Sequence, residues 1–122
     1  MPYKDKEQQR QAQRNHYLAN RNRYIQKARE SNRRCNDRNR NYIFDYLLEH
    51  SCLDCEESDP IVLQFDHRGE KAKTADISDL ARWSSLVRLQ EEIEKCDVRC
   101  ANCHLRKTAK EYGWYAYRAA VV

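Results

Sequence analysis

Lys95 to Thr108 reads KCDVRCANCHLRKT. Cys100 and Cys103 form a Cys-x-x-Cys pair in it that runs straight into His104. The triplet allows three chemistries: a covalent haem anchor, a metal knuckle that uses the histidine, or a knuckle whose histidine serves another site. Upstream, Cys52 and Cys55 repeat the spacing, with 44 residues between the two pairs. Two intervening residues let both thiolates of a knuckle reach one ion, and four thiolates close a tetrahedral zinc site. Cys52, Cys55, Cys100 and Cys103 are therefore expected to hold structural zinc. A redox dithiol would explain one pair, whereas metal explains both. Cys35 and Cys96 lack a matching partner and read as small packing residues or free thiols.

Bulk properties agree with a staple. The chain has 122 residues, 40% hydrophobic and 34% charged, which suits one compact domain with a thin core and an appended segment. The first residues, MPYKDKEQQRQAQRNHY, carry no apolar signal core, and no apolar run reaches membrane-spanning length. A reducing cytoplasm is the expected compartment. There cysteines bind metal before they form disulfides, and covalent haem attachment is not expected.

Charge is uneven. Residues 1–43 hold twelve Lys or Arg against four acids, an excess of eight, so the remainder is acidic by four. A basic arm on a mildly acidic module points to a polyanion, nucleic acid before membrane, although a solvated basic helix is the plain alternative. The expected phosphate contacts are Arg10, Arg14, Arg21, Arg23, Lys27, Arg33 and Arg34 on the arm, with Arg106 and Lys107 beside the second knuckle. Lys71, Lys73, Arg99 and Lys110 add cations around the same module.

Periodicity predicts a polar helix from about residue 6 to 30, a break over SNRRCNDRN (31–39), and a second helix with Tyr42, Ile43, Tyr46 and Leu47 on one face. A strand is expected from Ile61 to the Arg68-Gly69 turn. Helical spacing returns through Ile77, Leu80 and Trp83, then Leu86, Leu89 and Ile93, positions read as core. A short strand near 97–99 then leads into a last helix from Ala101 to about Tyr112, stopped by Gly113.

With the zinc satisfied by thiolates, His104 is free for another site. Asp66 and His67 end the first strand; neighbours on a strand face opposite sides, so both serve one site only if the backbone bends, which Gly69 makes easy. Asp66 and His104 would offer an open oxygen-and-imidazole site to a hard divalent ion. Histidine side chains change charge near neutral pH in general, about 6.5, which suits His67 to the part of a general base. His16 and His50 have no such company.

LQFDHRGEK followed by CDVRCANCHLRKT, framed by two knuckles, resembles the HNH endonucleases, particularly the small zinc-stapled ones of bacteria and their phages, over about residues 51–112. The resemblance implies an α+β chain with a ββα-metal (HNH) module clasping one catalytic cation, magnesium or another divalent ion. It makes His67 the base that activates water and Asp66 and His104 the cation ligands. The products would be 5′-phosphate and 3′-hydroxyl ends. The family's middle Asn falls at Lys95 here, a departure that bears on loop geometry, with Asn102 a substitute brace.

The organisation expected is a DNA-binding basic helical arm over 1–50, a nuclease domain with structural zinc over 51–112, and a tail over 113–122. DNA is the expected partner, without membrane. A second copy of the chain, or a phage or bacterial protein, is a further candidate partner. The rival reading is a non-catalytic zinc-stabilised nucleic-acid-binding module.

Overall fold

A computed structural model describes residues 5–69 and 72–118. The chain is α+β, with five helices and one two-stranded antiparallel sheet among those residues. It divides into two compact units, one ending at Arg34 and the other beginning at Cys35. No helix among the described residues is long and apolar enough to cross a membrane.

In the first unit, α1 (Lys6–Ala19) starts on Asp5, whose carboxylate accepts from Gln8 N–H at 2.7 Å. It ends at Asn20, whose side chain donates to His16 O at 2.8 Å. α2 (Arg21–Glu49) then runs without interruption through the stretch where a break was expected. The polar residues of 31–39 do not turn on their own backbone. Asn39 is fully buried, and its amide donates to Leu80 O, Ala81 O and Ser84 O at 3.4, 3.2 and 3.0 Å. Arg38 and Cys35 also donate to Ser84 O. These side chains bond carbonyls at the end of a neighbouring helix, so tertiary bonding overrides local propensity.

The strand expected from Ile61 begins later. Asp59 caps a short 3₁₀ turn, Pro60–Val62, and β1 spans Leu63–His67. The helical stretch that follows is split. α3 (Ile77–Trp83) and its cap Ser84 carry these carbonyls, and α4 (Leu86–Ile93) starts afresh on Ser85, whose hydroxyl accepts from Arg88 N–H. Ile77, Leu80, Leu89 and Ile93 are buried as read, but Trp83 is exposed, with the Arg88 guanidinium 5.3 Å from its ring centre.

β2 (Cys96–Cys100) pairs with β1 in unbroken register from Leu63 opposite Cys100 to His67 opposite Cys96. α5 (Ala101–Glu111) follows directly, and Gly113 adopts a left-handed φ of 64° just past its end. Two apolar clusters pack against the sheet. Leu47, Cys52, Leu63, Val98, Cys100 and Cys103 form one, Ile77, Leu80, Leu89, Ile93 and Cys96 the other, and Ile43, Tyr46 and Phe65 touch both.

Lys71 and residues 119–122 of the tail lie outside the described residues.

Candidate functional site

The four knuckle sulfurs converge. Cys52 and Cys55 come from the turn after α2; Cys100 ends β2 and Cys103 lies in the first turn of α5. Their ligand atoms all lie within 4.8 Å of one another, and the sulfurs of Cys55 and Cys100 are 3.6 Å apart. A tetrahedral Zn–S bond of about 2.3 Å places sulfurs about 3.8 Å apart, so the tetrad is positioned to bind a metal ion such as zinc. Burial raises the Cys52 thiol, but backbone N–H groups of Cys100, Cys55 and Asp54 outweigh it and bring it down to about 6. Cys35 and Cys96 stand apart, donating to Ser84 O and Glu92 O. Among the described residues, no other trio of His, Cys, Asp or Glu offers ligand atoms so close together.

The second cluster is built across the sheet. Strand alternation puts Gln64 and Asp66 on the face that meets α5, and Leu63, Phe65 and His67 on the other. His104 Nε2 lies 3.6 Å from Asp66 Oδ1, and His104 Nδ1–H donates to Gln64 Oε1 at 2.8 Å. The other oxygen of Asp66 accepts from Arg99 Nη1 at 2.7 Å and Lys107 Nζ at 2.8 Å. Burial pushes the Asp66 carboxyl up, but Lys107, His104 and Arg99 together hold it below the usual carboxylate range. Arg99 also grips Asp54, inside the first knuckle, at 2.9 Å.

His67 does not join Asp66 and His104 on their face. β1 stays regular through His67, so the bend expected before Gly69 is missing and the two neighbours diverge. His67 Nε2–H instead donates to Glu92 Oε1 of α4 at 2.9 Å. The three residues nonetheless open on one groove, which Arg40, Arg68, Lys73 and Arg82 also line. Residues from both faces of β1 border it, so it follows the strand's unpaired edge.

Several cations expected to meet phosphate are otherwise engaged. Arg99 is buried in its carboxylate clamp, and Lys107 is paired with Asp66 and Glu111 because one helical turn separates it from the latter. Lys73 pairs with Asp76. Arg106 and Lys110 are exposed on α5, and Arg10, Arg14, Arg21, Arg23, Lys27, Arg33 and Arg34 are exposed on the helices of the first unit, Arg34 beside Glu30 at 3.8 Å. Lys95, at the middle position of the motif, donates to Glu92 Oε2 and Thr74 Oγ1, both at 2.9 Å, and so braces the loop before α3; Asn102 is exposed.

Glu92 and Gln64 carry no signature in the sequence. A lone glutamate on an amphipathic helix and a lone glutamine on a strand give no local signal. Only the fold brings them to histidines 25 and 40 residues away.

No family model, curated protein or solved structure matches the chain.

Proposed function

We propose that this protein is a metal-dependent endonuclease of the HNH type that hydrolyses phosphodiester bonds of DNA. The observation that carries this reading is the approach of Asp66 and His104 to 3.6 Å where two antiparallel strands meet a helix, beside a groove that His67 also lines. Asp66 Oδ1 and His104 Nε2 are close enough to share an ion about 2.1 Å from each, and the two-ligand set leaves room for water and phosphate. A divalent cation such as magnesium, held there, would neutralise the scissile phosphate and stabilise the departing 3′ oxygen.

The chain's own residues supply the rest. His67 takes the proton from the attacking water. Arg40 and Arg82 offer positive charge along the groove to the strand being cut, and the exposed arginines of the first unit neutralise phosphates whatever the base sequence. Zinc in the tetrad would fasten the first knuckle to the junction of β2 and α5, which carries His104.

A non-catalytic zinc module that binds nucleic acid is the second reading. The full engagement of Asp66 Oδ2 by Arg99 and Lys107 favours it. Supercoiled plasmid separates the two. The endonuclease nicks it with magnesium and stops with EDTA, and His67→Ala keeps fold and zinc content while losing nicking. Binding without metal-dependent nicking, or a His67→Ala variant as active as wild type, would sink the catalytic reading.

A further inference from the structure

His67 reaches the groove from the face of β1 opposite to Asp66, and what orients its ring lies outside the motif. Glu92 is 3% exposed, and all its polar atoms are occupied. Its Oε1 accepts from His67 Nε2–H at 2.9 Å, from Thr74 N–H at 2.9 Å and from Ala75 N–H at 3.4 Å. Its Oε2 accepts from Lys95 Nζ at 2.9 Å. Burial raises the Glu92 carboxyl, but the hydrogen bonds from Thr74, Lys95, His67 and Ala75 outweigh it and bring it to about 2. The group is therefore a carboxylate, and a carboxylate only accepts. Any hydrogen shared between it and His67 sits on the imidazole Nε2. A neutral ring with its hydrogen on Nε2 has its lone pair on Nδ1.

We infer that Glu92 is the positioning residue for His67, fixing the Nε2–H tautomer and thereby making Nδ1 the atom that accepts a proton from water. This rests on the endonuclease reading above. In the step, water gives one proton to Nδ1 while its oxygen bonds to phosphorus, the P–O3′ bond breaks, and the 3′ oxygen leaves with the bonding pair and takes a proton from solvent. Four donors on one carboxylate make this a fixed orientation. Thr74 and Ala75 belong to the loop before α3 and Lys95 to the turn before β2, so with α4, which bears Glu92, three chain segments set where the ring sits. A wrong tautomer would present N–H to the water and remove the acceptor altogether.

The test is nitrogen-15 NMR of the histidine rings in the full chain, at a pH where the rings are neutral, with the His67 signals assigned by their loss in His67→Ala. The wild type should show His67 as the Nε2–H tautomer alone. Glu92→Gln, whose amide can either accept or donate, should give mixed tautomers and a kcat for plasmid nicking lower by about 10–100-fold at unchanged KM. Lys95→Met removes a partner of the same carboxylate without touching the ring, and should lose stability while keeping the wild-type tautomer. A wild-type His67 carrying hydrogen on Nδ1, alone or on both nitrogens, overturns the proposal, and so does a folded Glu92→Gln with an unchanged tautomer. If Glu92→Gln fails to fold, a wild-type His67 carrying hydrogen on Nδ1 still overturns the proposal. Protein whose Nε2–H tautomer gives way to a mixture in Glu92→Gln but which never nicks DNA would overturn the endonuclease reading and uphold the Glu92 lock on the ring.

Discussion

His104 and Gln64 meet across the gap between α5 and β1, the imidazole Nδ1–H donating to the carboxamide oxygen at 2.8 Å. That bond leaves Nε2, the nitrogen nearer Asp66, as the free lone pair. Gln64→Leu should keep the fold, because residue 64 is exposed. It should weaken manganese binding at the Asp66–His104 pair by about 10–100-fold. Titration followed by the manganese EPR signal measures this directly; unchanged affinity would mean that Gln64 does not orient the ring.

Arg99→Met tests the clamp. The substitution removes the guanidinium that Asp66, Asp54 and Asp97 share and leaves the nearly buried Asp66 with Lys107 as its remaining ion-pair partner from Lys or Arg. Breaking a buried pair costs about 3–5 kcal/mol, so the midpoint of urea unfolding should fall accordingly. A loss below about 1 kcal/mol, typical of exposed pairs, would show the cluster to be solvent-screened.

Metal removal should act on the fold rather than on one loop. Cys52→Ser, or chelation of the native chain, should abolish the cooperative thermal transition of residues 35–118, with metal content falling in parallel. A variant that folds cooperatively without metal would remove the structural role from the tetrad.

Acid should unfold the protein partly through Glu92. Its folded carboxyl holds a proton less tightly than the unfolded one, so protonation favours the unfolded chain. The stabilisation is complete above the ordinary glutamate value of about 4.5 and is lost as pH falls toward about 2. Asp66 shifts in the same direction. Glu92→Gln should flatten the stability profile across that window, as read by denaturation at stepped pH.

Replacing Arg10, Arg14, Arg21 and Arg23 by Gln should weaken duplex DNA binding and make it less sensitive to salt. For every phosphate left without its arginine, the slope of log K against log salt should become shallower by about 0.9. An unaltered slope, measured by fluorescence anisotropy, would take DNA binding away from the first unit.

The parts of this molecule readable from sequence are those with short-range signatures. Paired Cys-x-x-Cys spacing announced the tetrad because a knuckle is local in the chain, and the Gly113 stop reflects a conformation that glycine adopts readily. Local signals mislead where distant partners decide the outcome. Ser31 to Asn39 looked like a break because such residues compete with the helix backbone, yet Asn39 spends its amide on carbonyls more than forty residues away. The bend sought at His67 failed because continuous pairing with β2 keeps β1 straight, and the histidine found its carboxylate on a helix instead of a neighbour in its own strand.

Cys100 ends one strand, caps the next helix through Cys103 N–H at 3.4 Å, and belongs to the tetrad. Three duties at one residue mean that an ion held by the tetrad would be tied directly to the start of α5, and through it to the placement of His104 opposite Asp66. Wherever such an ion were scarce, copies of this protein would accumulate without that tie between the first knuckle and α5, so metal supply, as well as gene expression, would set how many reach the folded form.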